Sequence, residues 1–152
     1  MQKPILGIIG GGQLGSLLAE AAKKIEIKTV ILSDDINAPA KNFSTKFIYG
    51  DYEDQNIINQ FINSVDLVTY EFENIPYGIL KIIDEKKTVL PNPDINKLIQ
   101  NRLTEKDFLN KINIQTTKYV SIENIEELKE HKKLLPGLLK TTTLGYDGKG
   151  QY

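Results

Sequence analysis

One rhythm near the amino end restricts this chain more than anything else in it. Pro4 to Ile9 is an apolar run (Ile5, Leu6, Ile8, Ile9) of the length expected for a strand buried on both faces. Gly10-Gly11-Gly12-Gln13-Leu14-Gly15 ends it, and Leu17, Leu18, Ala21, Ala22 and Ile25 then recur at helical spacing, predicting a helix with that apolar face. A second strand follows at Lys28–Leu32 and closes on Ser33-Asp34-Asp35. Strand, glycine turn, helix, strand is a βαβ unit. Gly10, Gly12 and Gly15 satisfy G-x-G-x-x-G, and Asp34 comes about 20 residues later, a spacing that serves dinucleotide binding. The same turn suits any phosphate at a helix N-terminus, or merely lets a helix pack close to a sheet.

The alternation continues. Thr45–Tyr49, Asp66–Tyr70 and Thr88–Leu90 read as strands, and Asp54 opens a helix carrying Ile57, Ile58, Phe61 and Ile62. A further helix carries Ile79, Leu80, Ile82 and Ile83, and Pro91 and Pro93 stop the last strand. Five strands alternating with helices in about ninety residues predict an α/β fold with a parallel, doubly wound, Rossmann-like sheet. In such sheets ligands sit beyond the carboxyl ends of the strands. The Gly10–Gly15 turn, Asp34 and the segment Glu71-Phe72-Glu73-Asn74 all fall there. Glu71 and Glu73, two residues apart on extended chain, point to one side, where a carboxylate accepts hydrogen bonds from ribose hydroxyls or an amine, or else caps the next helix.

After Pro93 the pattern changes, and a domain boundary is expected there, dividing residues 1–93 from 94–152. Asp94–Gln100 and Thr104–Lys111 read as consecutive helices, with Thr104 as N-cap of the second. Arg102 and Lys106 share a helical face. Lys118–Ser121, a Glu-rich helix from Asn124, and Leu134–Lys140 then read as strand, helix, strand. The last run leads into Lys140-Thr141-Thr142-Thr143-Leu144-Gly145-Tyr146-Asp147-Gly148-Lys149-Gly150-Gln151, a polar loop with three glycines and two flanking cations. Such a loop brings main-chain N–H groups to phosphate oxygens while Lys140 and Lys149 neutralise charge from two sides. It is not a Walker A loop, since no Lys-Ser/Thr pair closes it into a helix; it reads as a flap between two strands or as a solvated hairpin.

Composition removes several classes of function. There is no cysteine, so disulfides, thiolate metal sites and cysteine nucleophiles are excluded. A formal charge of −1 gives no general attraction to nucleic acid or an acidic membrane surface. No 18-residue apolar stretch and no signal-like N-terminus are evident, so a cytoplasmic location is expected.

Four segments, taken in order, resemble one family: Gly10–Gly15; Thr69-Tyr70-Glu71-Phe72-Glu73-Asn74; Arg102-Leu103-Thr104-Glu105-Lys106; and Lys140-Thr141 with Gly145–Gln151. They are similar to the 5-(carboxyamino)imidazole ribonucleotide synthases, purine-biosynthesis ligases of the ATP-grasp superfamily. The resemblance spans the whole chain; its second and fourth segments are specific, whereas many phosphate binders share the first. It implies a Rossmann-like pre-ATP-grasp domain that binds no NAD, followed by the start of an ATP-grasp α+β domain. It implies ATP with magnesium as cofactors, 5-aminoimidazole ribonucleotide and bicarbonate as substrates, carboxyphosphate as the activated intermediate, and a homodimer. By the same resemblance Arg102, Lys140, Gly145, Tyr146, Asp147, Gly148, Lys149, Gly150 and Gln151 would face ATP. Tyr146, Asp147 and Lys149 would close between the two ligands as catalytic residues, and Gly12, Gln13, Leu14 and Glu73 would hold the ribonucleotide.

The chain departs from the family at Ser16, Thr142 and Thr143, where basic residues are usual. It also stops at Tyr152, before the acidic magnesium ligands, so no metal ligand is expected within it and it reads as an N-terminal fragment. Three other readings stand beside this one: another ATP-grasp ligase, a nicotinamide-dependent oxidoreductase resting on the first fingerprint and Asp34, and a non-catalytic nucleotide-binding module.

Overall fold

The computed structural model describes residues 3–145 and 148–152. The chain divides into two compact units, residues 1–97 and 98–152, and the division falls inside a helix that begins at Pro93.

The first unit is an α/β sheet with helices on both faces. Its strands are β1 (Leu6–Ile9), β2 (Thr29–Ser33), β3 (Lys46–Tyr49), β4 (Leu67–Tyr70) and β5 (Thr88–Val89). All pair in parallel, in the spatial order β3-β2-β1-β4-β5. β1 is therefore central, with β2 on one side and β4 on the other, and the crevice where the winding reverses opens at its carboxyl end. The register puts Ile9 level with Leu32 and Tyr70, so β1, β2 and β4 end side by side. The residues that follow them arrive together at one edge.

Side-chain alternation along the strands sorts the core into two layers. Ile9, Val30, Leu32, Ile48 and Val68 face α2 (Gln55–Ile62) and α3 (Tyr77–Asp84), where Ile58, Phe61, Leu80 and Ile83 complete a large apolar cluster. On the opposite face Ile8 and Ile31 meet Ala19 of α1 (Gln13–Lys24) and Ala40 of a short 3-10 turn, Pro39–Asn42, with the partly buried Leu6 and Phe47 packed against them. The second layer is thin because its helix turns small residues inward.

Here the structure corrects the helical pattern read from the sequence. The side of α1 that packs inward carries Gly15, Ser16, Ala19 and Ala22. Leu14 is 61% exposed, Leu17 55% and Ile25 60%, so the leucine stripe faces outward. Space decides this: a Cβ placed on Gly15 would lie 2.7 Å from the Gly10 carbonyl oxygen, which leaves no room for a leucine against the strand end.

The second unit contains α5 (Arg102–Lys111), α6 (Ile125–Glu130) and little sheet; α4 (Pro93–Ile99) lies across the division. Thr104 is not the cap of α5. Asn101 is: its side chain accepts hydrogen bonds from the N–H groups of Leu103 (2.9 Å) and Thr104 (3.2 Å). The Thr104 hydroxyl instead donates to the carbonyls of Leu98 and Asn101. Asn124 caps α6 in the same way, while Glu127 reaches back to accept from the Glu123 N–H, forming a reciprocal capping pair.

Two expected strands are absent among the described residues. Lys118–Ser121 is extended chain held along α5 by side chains: Lys106 donates to the Thr117 carbonyl and hydroxyl, and the Tyr119 hydroxyl donates to Asp107. Leu134–Lys140 begins in a 3-10 turn and meets a partner only at its end, through one antiparallel bridge between Lys140 and Gln151. Apolar alternation alone does not make a strand. Each edge of the backbone needs a neighbour to take its N–H and C=O groups, and these segments have none along most of their length.

Candidate functional site

At the carboxyl edge of the sheet, the backbone leaving β4 is tied to the end of β1 by the Glu71 N–H donating to the Ile9 carbonyl (3.1 Å). That bond delivers the Glu71 side chain over the glycine turn, where its Oε1 accepts from the Gly12 N–H at 3.1 Å. Gly12 is the N-cap of α1 and has no side chain to offer; the carboxylate from β4 serves that end instead. Gly10, with φ of +107°, is in a conformation that favours glycine, and a Cβ there would sit 2.7 Å from Glu71 Oε1.

The other side of the turn is closed by the chain after β2. The Ala40 N–H donates to the Gly11 carbonyl, and Ala38 packs so close to Gly11 that a Cβ there would lie 2.5 Å from that of Ala38. Between these walls is a cavity of about 250 Å³ lined by the glycine turn, Ser33, Asp34, Asp35, Tyr52, Glu71 and Phe72, among others. Its charged lining is entirely acidic. Tyr52 is 8% exposed, and burial together with the Asp34 charge pushes its phenol well above the ordinary range. Its phenol and the Asp34 carboxylate are neighbours in the cavity wall. Such a cavity can accept hydrogen bonds from hydroxyls or an amine; it presents no lysine or arginine to a phosphate.

The ribonucleotide residues implied by resemblance are distributed around this edge. Gly12 lines the cavity, Gln13 and Leu14 are exposed on the first turn of α1, and Glu73 is exposed two residues beyond Glu71, outside the lining. Of the acidic pair, Glu71 is the member the fold brings to the glycine turn. Tyr52 carries no signal in the sequence, since it lies in the loop between β3 and α2, where no periodicity applies.

A second arrangement lies within residues 98–152. Lys140 and Gln151 form the base of a closed loop: Leu139 and Tyr152 exchange two backbone hydrogen bonds (3.1 and 2.9 Å), and the Thr141 N–H donates to the Gly150 carbonyl (2.8 Å). Gly150 has φ of +65°, and a Cβ there would approach Thr141 Oγ1 to 2.3 Å, so glycine is required on both counts. Arg102, the first residue of α5, is docked on the loop. Its N–H donates to the Thr142 carbonyl (2.7 Å), and its Nη2 lies 3.5 Å from the Gly145 carbonyl. Among the described residues Arg102 Nε is buried with no hydrogen-bond partner, an orphaned donor beside the loop. Lys140, Gly148 and Lys149 are exposed. Thus Arg102, Lys140, Gly145, Gly148, Lys149, Gly150 and Gln151 belong to one loop and its anchor; Tyr146 and Asp147 lie outside the described residues. Among the described residues no three His, Asp or Glu side chains converge as a metal site, and no helix is long and apolar enough to cross a membrane.

A family model for the ribonucleotide synthetase preATP-grasp domain matches residues 1–100, the whole of the five-stranded unit. The chain belongs to this family. A pre-ATP-grasp chain of this kind has curated relatives over nearly its full length: it is 40% identical over 148 residues to an N5-carboxyaminoimidazole ribonucleotide synthase of Staphylococcus epidermidis, covering 96% of this chain and 40% of that protein. To the Brucella melitensis protein of the same name it is 39% identical, covering 96% of this chain and 41% of that one. Among solved structures, the N5-carboxyaminoimidazole synthetase of Staphylococcus aureus complexed with ADP superposes with a TM-score of 0.89 at 35% identity, over 97% of this chain and 40% of that one. The Aspergillus clavatus N5-carboxyaminoimidazole synthase in complex with ADP and 5-aminoimidazole ribonucleotide superposes with a TM-score of 0.82 at 25% identity, over 99% and 40%. The pre-ATP-grasp chain therefore spans about two fifths of the length of the relatives it matches.

Proposed function

We propose that this chain supplies the pre-ATP-grasp domain and the first nucleotide-binding elements of a cytoplasmic ligase that carboxylates 5-aminoimidazole ribonucleotide at the expense of ATP. The observation that carries the reading is the docking of Arg102 on the Lys140–Gln151 loop, which sets a guanidinium against a glycine-bearing loop whose Lys140 and Lys149 are exposed. Relatives aligned over nearly the whole chain are named for this synthase, and one is known with ADP and the ribonucleotide bound.

In this reading the β and γ phosphates of ATP lie against the loop, with Lys140 and Lys149 supplying charge and the orphaned Arg102 Nε–H supplying a donor. A bicarbonate oxygen attacks the γ-phosphorus and ADP leaves; the exocyclic amine of the ribonucleotide then attacks the carboxyl carbon, and phosphate leaves as the C–N bond forms. Carboxyphosphate is short-lived in water, so Tyr146, Asp147 and Lys149 are assigned to the part of the loop that closes between the ligands and excludes solvent. Gly12, Gln13, Leu14 and Glu73 are assigned to the ribonucleotide. Magnesium would supply charge neutralisation at the phosphates when bound, and the described residues offer no donor set for it. A homodimer is inferred for the full-length enzyme, to be read by sedimentation.

The deciding experiment is a chimera in which these 152 residues replace the matching part of the Staphylococcus epidermidis relative. It is expected to release ADP at a rate stimulated by bicarbonate and 5-aminoimidazole ribonucleotide together. A folded chimera that binds ATP but shows no such stimulation refutes the substrate assignment. In the same chimera Glu73→Gln is expected to raise the KM for the ribonucleotide, with that for ATP little changed. Loss of one charge-assisted hydrogen bond is worth about 1.5–3 kcal/mol, roughly ten- to over a hundredfold. An unaltered ribonucleotide KM and kcat would return Glu73 to the role of a solvated carboxylate at a helix entry.

A further inference from the structure

The glycine turn has the sequence of a dinucleotide-binding fingerprint, yet the fold treats it in a way that the fingerprint does not announce. In such a turn the pyrophosphate normally meets the N-terminus of the following helix, drawn by unpaired N–H groups and the helix dipole. Here the Glu71 carboxylate is already at that end: Oε1 accepts from the Gly12 N–H, and the side chain lies against Gly10, Gly12 and Gly15, the three fingerprint glycines. A built Cβ comes within 2.7 Å of Glu71 Oε1 at Gly10, 3.2 Å at Gly12 and 3.5 Å at Gly15, so the carboxylate fills the space that the absent side chains leave open. The contact is enforced by the sheet, because the Glu71 N–H is bonded to the Ile9 carbonyl at the end of the central strand.

The surroundings reinforce it. Ser33 and Ala38 close on Gly11 from the opposite side, and the remaining cavity adds Asp34 and Asp35 to Glu71 with no lysine or arginine in its lining. An incoming pyrophosphate would have to displace one carboxylate and then sit beside two others with no countercharge. Like charges that close disfavour one another.

We propose that Glu71 is a built-in anion that occupies the N-terminal end of α1 and keeps pyrophosphate-bearing cofactors out of the glycine turn. Glu71 is thus a specificity-determining residue, and the turn is a latent anion site masked by the chain itself. The inference does not depend on the ligase reading, since it concerns only what the turn excludes.

The test uses the isotopically labelled 152-residue chain, titrated with inorganic pyrophosphate and with ADP-ribose while the backbone amide signals of Gly10 to Ser16 are followed. In the unaltered chain these amides should show no saturable shift at millimolar ligand, and a saturating shift there would overturn the proposal without any variant being made. Glu71→Ala should unmask the site, with at least tenfold tighter binding of both probes centred on Gly11, Gly12 and Gln13. Glu71→Gln retains the shape of the side chain and its acceptor for Gly12 while removing the charge, and should show a gain of the same order. A gain in neither variant overturns the masking, and a gain in alanine alone overturns the electrostatic account, since a plug of shape would then suffice. Undisturbed amide signals of Ile8 and Ile31 in the core verify that each variant is folded.

Discussion

Lys140→Ala in the chimera is expected to lower ATP-dependent turnover by about 10²–10³-fold, the usual loss when one preorganised charge or donor at a transferring group is removed. The same substitution should change unfolding stability by no more than about 0.5 kcal/mol, since Lys140 is exposed and, among the described residues, it is held by a backbone bridge to Gln151 that alanine can also make. The contrast between the two measurements carries the argument. A residue that mattered through packing would lose both together, whereas a phosphate-facing cation loses activity alone. ATP kinetics equal to those of the unaltered protein would remove Lys140 from the site. A parallel fall in stability and activity would assign it to the structure of the loop.

Gly15→Val is expected to destabilise the first unit by about 3 kcal/mol or more, the upper range for overpacking against rigid backbone. The Cβ would lie 2.7 Å from the Gly10 carbonyl oxygen, a main-chain atom that moves only if α1 or β1 moves, and two further methyl groups would follow. Gly78→Ala provides the control. Gly78 is also helical, in the first turn of α3, but a Cβ there meets nothing within 4 Å, and the change should stabilise by up to about 1 kcal/mol through helix propensity. Chemical denaturation of the two variants side by side measures both signs. A neutral Gly15→Val would mean that α1 is not held as tightly against the sheet as the geometry requires.

Both expectations bear on how the molecule can be read. The βαβ rhythm was legible because burial on both faces demands continuous apolar strands, and Ile5–Ile9, Val30–Leu32 and Leu67–Tyr70 have no other comfortable state. Asp54 as the opening of α2 was legible for a local reason: its carboxylate accepts from the Asn56 N–H two residues on. Reading failed where a local pattern had two solutions. The leucines of α1 make a convincing inward face until the Gly15–Gly10 approach is known. Lys118–Ser121 has the composition of a strand, but its place is taken by side-chain bonds to Lys106 and Asp107.

The order and type of the elements in the first unit, the glycine turn at the end of the first strand, and the single glycine-bearing loop Lys140–Gln151 were readable from local sequence. These depend on periodicity and on residues whose backbone preferences are intrinsic. Which carboxylate of the Glu71–Glu73 pair reaches the turn, the burial of Tyr52 beside Asp34, and the docking of Arg102 on a loop some forty residues away follow from the tertiary fold alone. Those are matters of strand register and of close approach between distant segments. A one-residue change in register would send Glu71 to the other face of the sheet, and nothing local to Glu71 or Glu73 records which of the two the sheet will deliver.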